Sequence, residues 1–416
     1  MPAQGSTFSP LAHRLFLILW TTSLTGNIAQ MVQAVGAQWL MTEIDGRADM
    51  VALVQTAISL PVMLLAVIGG AVADVYDRRR VMLTAQGSLA IVSVVLAVLT
   101  FQGGVNPWLL LALTFAMGTG TAFYNPAANS SIGVIVPRHE LAGAVSLNIL
   151  GFNVARVVGP AIGGAIVAVG GVFAGYACSA AAFLAAASLL LFWRPLRENL
   201  PAKTGIGIVG AIAAGFRCIR ETPELRAVAL RMFAFTLSGS AIWALMPLVA
   251  RDLTGGGPEQ FGLLLGALGL GAVAGAALSH EIRRRFTVET LVRGAGMLFG
   301  LVCLVVAARP GFAVTFAVLV IGGLGWVQAL SGFTVTGQMW APRAVVGVVT
   351  ATISTMLFGG LALGSWVWGH VAETASVATA IAGSGVAMVL IAGLGLVLPL
   401  PRSQDAPARE GAGSKA

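Results

Sequence analysis

The chain has 416 residues, of which 57% are apolar and 10% charged, with a net charge of +8 and a mean hydropathy of +0.90. A soluble domain averages about 25% charged residues, so too little polar side chain is present to cover a water-facing surface, and the bilayer must be the solvent for most of the protein. The basic residues form short clusters between apolar runs, with no basic stripe interleaved with aromatics, which excludes nucleic acid as a partner. Cys178, Cys218 and Cys303 stand far apart without a CxxC pair, which excludes a disulfide framework or thiolate metal site.

A bilayer core of about 30 Å takes roughly 20 apolar residues per helix. Twelve such runs are predicted, near residues 15–41, 50–72, 81–101, 107–135, 144–170, 172–193, 225–250, 259–279, 288–307, 311–338, 344–371 and 375–399. The first begins near Leu15 and is followed by many others, so it reads as a span and not as a signal peptide.

Within the first run, Asn27, Gln30, Gln33 and Gln38 fall in an arc of about 140° at 100° per residue. Amides turned to lipid are costly, so this face is expected to look into a central cavity. Tyr124, Asn125 and Asn129 of the fourth run and Trp326 and Gln328 of the tenth are candidates to join it. Hydrogen bonding between helices, without any solute, is the alternative for each of them.

If the spans alternate, twenty of the 24 basic residues fall on one side. Cytoplasmic loops carry the Lys/Arg excess, so both termini are expected in the cytoplasm. The longest connector, 194–224, separates a six-span half (14–193) from a second (225–399). Inside it, Ile208, Val209, Ile212, Phe216 and Ile219 share one helical face, with Arg217 and Arg220 opposite, as in a helix lying on the membrane surface. Thr222, Pro223 and Glu224 then supply a cap, a first-position proline and a first-turn acid for the seventh span. Residues 400–416 are expected to be a disordered cytoplasmic tail.

An internal repeat ties the halves together. Gly70, Asp74 and Arg78–Arg80 recur 205 residues later as Gly275, Ser279 and Arg283–Arg285. The same gap-free offset carries Gly118 and Gly120 onto Gly323 and Gly325, and Gly159 and Gly164 onto Gly364 and Gly369. Two repeated six-helix halves are the plan of facilitator-type transporters. The fold class is therefore an all-α membrane protein of twelve transmembrane helices in two pseudo-repeats.

The segment GGAVADVYDRRR (69–80) resembles the loop signature of the major facilitator superfamily, a glycine, an aspartate four residues later and then a basic cluster. By that resemblance Gly70, Asp74, Asp77, Arg78 and Arg79 form a conformational latch, the aspartate facing a helix end of the other half. Val75 and Asp77 depart from the usual pattern, which has a basic residue after the aspartate and a glycine before the arginines. The fifth span carries Asn148, Asn153, Arg156, Gly159, Pro160, Gly163 and Gly164. With Asn125-Pro126-Ala127, Val136-Pro137-Arg138-His139-Glu140-Leu141 and Leu245-Met246-Pro247-Leu248, it resembles a branch of that superfamily containing an enterobactin exporter and macrolide-efflux-like proteins.

The resemblance covers nearly the whole chain. It implies a kink at Gly159, Pro160 and Gly163, a solute site including Asn153 and Arg156, and outward transport of a siderophore-like or drug-like compound by alternating access in the cytoplasmic membrane, driven by proton exchange. A brace between helices is the alternative for Arg156. An uptake symporter on the same fold, or a lipid scramblase or sensor that transports nothing, are the alternatives for the whole chain. Titratable carboxylates at mid-depth are missing from the spans, and Glu43, Asp45 and Glu373 at span ends are the nearest substitutes. No enzyme, cofactor or metal motif appears, neither HExxH, GxSxG nor a P-loop. The expected partners are a small-molecule solute, the bilayer and protons, and a monomer is compatible with the sequence. The GxxxG pairs at 159/163, 262/266, 271/275, 296/300 and 360/364 are expected to be helix-packing sites.

Overall fold

A computed structural model describes residues 9–137, 139–193, 217–341, 346–396 and 398–401. After a short 3-10 turn, the helices are α1 (Arg14–Ile44), α2 (Ala48–Val75), α3 (Arg78–Phe101) and α4 (Pro107–Ile135). A 52-residue run, Leu141–Phe192, follows. At 1.5 Å per residue it is far too long for one crossing, and it breaks at Gly171, whose φ of 71° and ψ of 177° are open to glycine and strained for other residues. The two arms are α5 (141–170) and α6 (172–192). The second half holds α7 (Pro223–Leu248), α8 (Pro258–Arg285), α9 (Val288–Ala307), α10 (Phe312–Trp340), α11 (Val346–Thr374) and α12 (Val377–Leu394). A π-helical turn, Val249–Leu253, extends α7.

Among the described residues ten helices can cross a membrane by length and composition, the Leu141–Phe192 run counting as one. Splitting that run and adding α4, whose apolar character is diluted by Asn125, Asn129 and two serines, gives the twelve spans expected. Residues 217–221 are helical, whereas the rest of the expected surface helix and nearly all of the tail lie outside the described residues.

Local chemistry starts the helices where the sequence signals it. Asp77 caps α3 by accepting from the Arg80 N–H at 3.0 Å. Asn106 caps α4 at Leu109 N, followed by Pro107 at the first position. Thr287 and Ser376 do the same for α9 and α12. Each cap satisfies a donor that the helix leaves orphaned. The outward surface is apolar: Phe101, Trp108, Val169 and Leu390 are exposed, while Gln33, Gln86, Ser93, Arg231 and Gln328 are buried. That inside-out pattern is what a hydrocarbon solvent demands.

Four of the five repeated glycine pairs occupy equivalent contacts in the two halves, the exception being Gly70, which has open space where Gly275 packs on Leu324 of α10. Gly118 brings α4 onto α2 at Ile58, and Gly323 brings α10 onto α8 at Leu268. Gly120 faces Leu89 of α3, and Gly325 faces Ala295 of α9. Gly159 meets Met31 of α1, and Gly364 meets Leu237 of α7. The last pair crosses between halves: Gly164 of α5 touches α8, and Gly369 of α11 touches α2. A single offset of 205 residues thus maps intra-half onto intra-half contacts and cross contacts onto cross contacts.

These cross contacts are asymmetric with depth. The halves close on the face opposite the chain ends, here the far face. Gly164 and Gly262 pack backbone to backbone, and Trp39 stacks on Phe261 with ring centroids 6.2 Å apart. Thr56 donates to Ala362 O at 2.9 Å, and Glu373 of α11 accepts from the first N–H of α2, Ala48, at 2.7 Å. Among the glycine contacts, those between halves reach no nearer the chain ends than Met63 against Gly359 and Arg156 against Gly269, and beyond them Leu64, Ile68, Ile149 and Leu150 are exposed. Beside the seal, exposed Arg47 has its pKa raised by its hydrogen bond to Asp45 and by the nearby charge of Asp49.

A carboxylate on a helix N-terminus contributes about 0.3–1 kcal/mol. Glu373→Gln should therefore loosen the far-face seal modestly. A cysteine at Thr56 should react at most about fivefold faster with a maleimide supplied from that side, and an unchanged rate would remove Glu373 from the seal.

Candidate functional site

Between the separated ends of the first half lies a cavity of about 340 Å³, lined by Ser23, Asn27, Tyr124, Asn125, Ala128, Asn129, Asn148, Ile149, Phe152 and Asn153. Three helices build it. Ser23 and Asn27 sit one turn apart on α1. Asn125 and Asn129 follow the same spacing on α4, with Tyr124 adjoining, and Asn148 and Phe152 on α5, with Asn153 adjoining. Residues three or four apart share a helical face, so each helix contributes one lining face.

Internal hydrogen bonds hold part of this surface in place. The Tyr124 hydroxyl lies 3.1 Å from Ser23 Oγ, and Asn148 Nδ2 donates to Asn129 Oδ1 at 3.1 Å. No carboxylate lines the cavity. Every described Asp or Glu lies in a connection or within the end turns of a helix.

One turn beyond Phe152 stands Arg156. Its guanidinium carbon is 5.9 Å from the centroid of the Phe152 ring and 5.6 Å from that of Trp243 on α7. Among the described residues it has no hydrogen bond and no ion pair. A mid-span arginine costs at least about 2.5–3.5 kcal/mol, and the two rings offset part of that through cation–π attraction, about 0.5–2 kcal/mol each. Trp243 in turn leans on Trp326, centroids 5.7 Å apart, and its indole N–H is buried without a partner.

Of the residues expected in a cavity, Asn27, Tyr124, Asn125, Asn129 and Asn153 come together, with Arg156 beside them. Gln30 is half-buried and does not line the cavity. Gln33, Gln328 and Trp326 are elsewhere, for identifiable reasons. Gln33 is 4% exposed and accepts from Ser93 Oγ of α3 at 3.2 Å. Gln328 donates to Gly275 O at 2.7 Å and accepts from Ser279 at 3.3 Å, bracing α10 on α8. Trp326 is packed among Phe235, Phe299 and Trp243. These three satisfy core positions of their own halves, the alternative that the sequence left open.

Ser23, Asn148 and Phe152 were not expected as lining. Stepping back from Arg156 by fours, to Phe152 and then Asn148, would have found two of them.

In the 69–80 segment, Arg79 donates to the carbonyls of Leu190 and Leu191 at 3.1 and 2.6 Å, fastening the end of α6 to the start of α3. Arg78 donates to Ser130 O at 3.3 Å. Its repeat counterpart, Arg283, donates to Ser331 of α10. Gly69 is the glycine pressed against α4 at Ala122, while Gly70 has open space around it. In α5, Gly159 and Gly163 admit α1 at Met31 and Val32, and the carbonyl of Pro160 lies against Gly262.

Among the described residues, twelve membrane-length helices in two repeated halves around a polar cavity open to one face define a membrane transporter of the major facilitator class. Solved transporters share the fold. A bacterial homologue of the human lysosomal transporter Spinster, in an inward-facing and occupied conformation, matches with a TM-score of 0.73 at 16% identity, over 95% of this chain and 96% of that one. The POT family transporter PepTSo matches with a TM-score of 0.74 at 13% identity, over 93% and 97%. The chain belongs to the transmembrane secretion effector family, whose model matches residues 5–411.

Its relatives include the multidrug efflux pump Tap of Mycolicibacterium fortuitum, 26% identical over 94% of this chain and 97% of that protein. The enterobactin exporter EntS of Salmonella choleraesuis is 27% identical over 80% of this chain and 79% of that protein. The protein is thus a multi-pass transporter of the cell membrane acting on small molecules, in the superfamily branch expected from its motifs.

Proposed function

We propose that the protein exports a small organic compound, siderophore-like or drug-like, by alternating access with proton exchange as the drive. The observation that carries this reading is the cavity itself, polar, set among apolar helices, open on the face bearing the chain ends and shut by the far-face seal. If that open face is cytoplasmic, this is the state that loads solute from inside the cell. The pump and exporter relatives support the outward direction.

In this reading Asn27, Tyr124, Asn125, Asn153 and Arg156 hold the solute. The Gly159-Pro160-Gly163 segment lets α5 bend as the halves rock. Gly70, Asp74, Asp77, Arg78 and Arg79 form the latch that shuts the cytoplasmic end in the alternate state. The rocking units are residues 14–193 and 225–399, joined by 194–224. Protons from outside reach the acids of the far face, among them Glu43, Asp45 and Glu373.

Inverted membrane vesicles test the direction. They should accumulate enterobactin or members of a drug panel only when the protein is present and a proton gradient is imposed, and a protonophore should abolish the accumulation. Uptake by right-side-out vesicles alone would replace export with symport.

Topology is tested separately. Cysteines at Gly104, Gly171 and Gly256 should react with impermeant maleimide outside intact cells, and Lys203→Cys and Ser403→Cys only after permeabilisation. Outer labelling at Lys203→Cys would overturn the orientation and turn the open cavity toward the outside.

A further inference from the structure

We propose that the solute is a compact aromatic acid carried as its anion, read by the Arg156 guanidinium between Phe152 and Trp243. The inference rests on the cavity being the solute site and adds the charge and shape of what enters it.

Charge comes first. Arg156 stays protonated in any protein environment, so it cannot escape its cost by releasing a proton. Among the described residues nothing anionic neutralises it, and no carboxylate lines the cavity next to it. A cationic solute would meet a like charge with nothing to offset it. At about 6 Å and an effective dielectric constant near 20, that repulsion corresponds to roughly a hundredfold in affinity, and an anion gains by the same physics. The polar part of the cavity lining consists of amides and hydroxyls, set beside Ala128, Ile149 and Phe152, and accepts and donates without adding charge.

Shape follows from the rings. The guanidinium lies 5.9 Å from the Phe152 centroid and 5.6 Å from that of Trp243. A planar solute can stack on these same two rings while its carboxylate takes the free donor fork. The Trp243 indole N–H, buried and unpartnered, is a second donor, carried on the ring that the guanidinium faces. Arg156 belongs to one half and Trp243 to the other, so an acceptor shared between them draws the halves together, as a bound solute must before the cavity changes sides. A volume of about 340 Å³ is near the small end of ligand pockets, roughly 300–1,000 Å³, and suits one fused ring system. Trp243 thereby becomes a specificity residue for the transported compound.

Three probes of equal size separate the possibilities: 2-naphthoate, 2-naphthamide and 2-naphthylmethylammonium. Binding is measured by thermal shift and by titration on the purified full-length chain in lipid nanodiscs. The acid should bind at least tenfold more tightly than the amide, and the ammonium weakest. Arg156→Gln should bring the acid down to the level of the amide, and Arg156→Lys should retain part of the preference, since it keeps the charge and loses the fork. Trp243→Phe, which keeps a ring and loses the N–H, should weaken the acid several-fold.

An ammonium probe that binds as well as the acid, an acid preference surviving Arg156→Gln, or no binding of any probe would each overturn the proposal. So would lowered melting temperatures in both Arg156 variants with an unchanged naphthoate increment, the signature of a structural brace. The cavity reading is tested apart from this. In membranes, a cysteine at Asn153 should be protected from maleimide by whichever compound the vesicle assay identifies, and that protection does not depend on the naphthalene probes.

Discussion

Valine in place of Gly164 should hold the far-face seal open. A Cβ at that position would lie 2.5 Å from the carbonyl oxygen of Pro258 and 2.9 Å from the Cα of Gly262. Both are backbone atoms, so no side chain can swing aside, and α5 and α8 must separate. Overpacking a tight interface costs about 1–3 kcal/mol, which at the upper end shifts a two-state equilibrium by roughly a hundredfold. In a background without Cys178, Cys218 and Cys303, a cysteine at Thr56 should then react at least tenfold faster with maleimide from the far side. Gly87→Val is the control, since nothing lies within 4 Å of a Cβ there. Equal rates in the two variants would mean that backbone contact at α5 and α8 does not set the seal.

That seal is also where reading from sequence reached its limit. The spans were legible because hydrocarbon imposes length and composition on each helix separately, and the boundary at Gly171 was marked by glycines between two apolar runs. The repeat was legible because close helix contact tolerates only glycine, so Gly118, Gly159 and Gly164 had to recur at the same offset. The conformation was not. In the proposed alternating access both states use the same helices and differ only in which ends touch.

The polar residues of the cavity were half legible for a related reason. Lipid drives every amide inward, which separates the outer surface from the interior but not a cavity from a core. Asn27 and Gln33 lie on one face of α1, yet one lines the cavity and the other meets Ser93. Trp243 escaped notice because most of α7 is buried, and an aromatic residue on such a helix reads from sequence as core.

Asp74→Asn should slow transport about tenfold at unchanged abundance in the membrane. The far face already displays the physics involved. Glu373, at the end of α11, accepts from the first N–H of α2, a carboxylate set on the unpaired donors of a helix N-terminus. Asp74 stands one residue before the other end of α2, and α11 begins at Val346 on that same open face. If the halves rock as proposed, those two ends approach as the far-face pair parts, and Asp74 then does for the alternate state what Glu373 does for this one. Asparagine preserves size and removes the charge. In a partly buried geometry such a contact reaches about 2 kcal/mol, and losing most of it is close to a factor of ten. Because the contact belongs to one state only, folding and insertion should be unaffected, and a cysteine at Asn148 should become more reactive from the open side as the population shifts toward the state described here. Transport normalised to membrane abundance decides the matter: a variant that turns over at the normal rate would reduce the 69–80 segment to a basic loop whose arginines fasten α3 to α4 and α6.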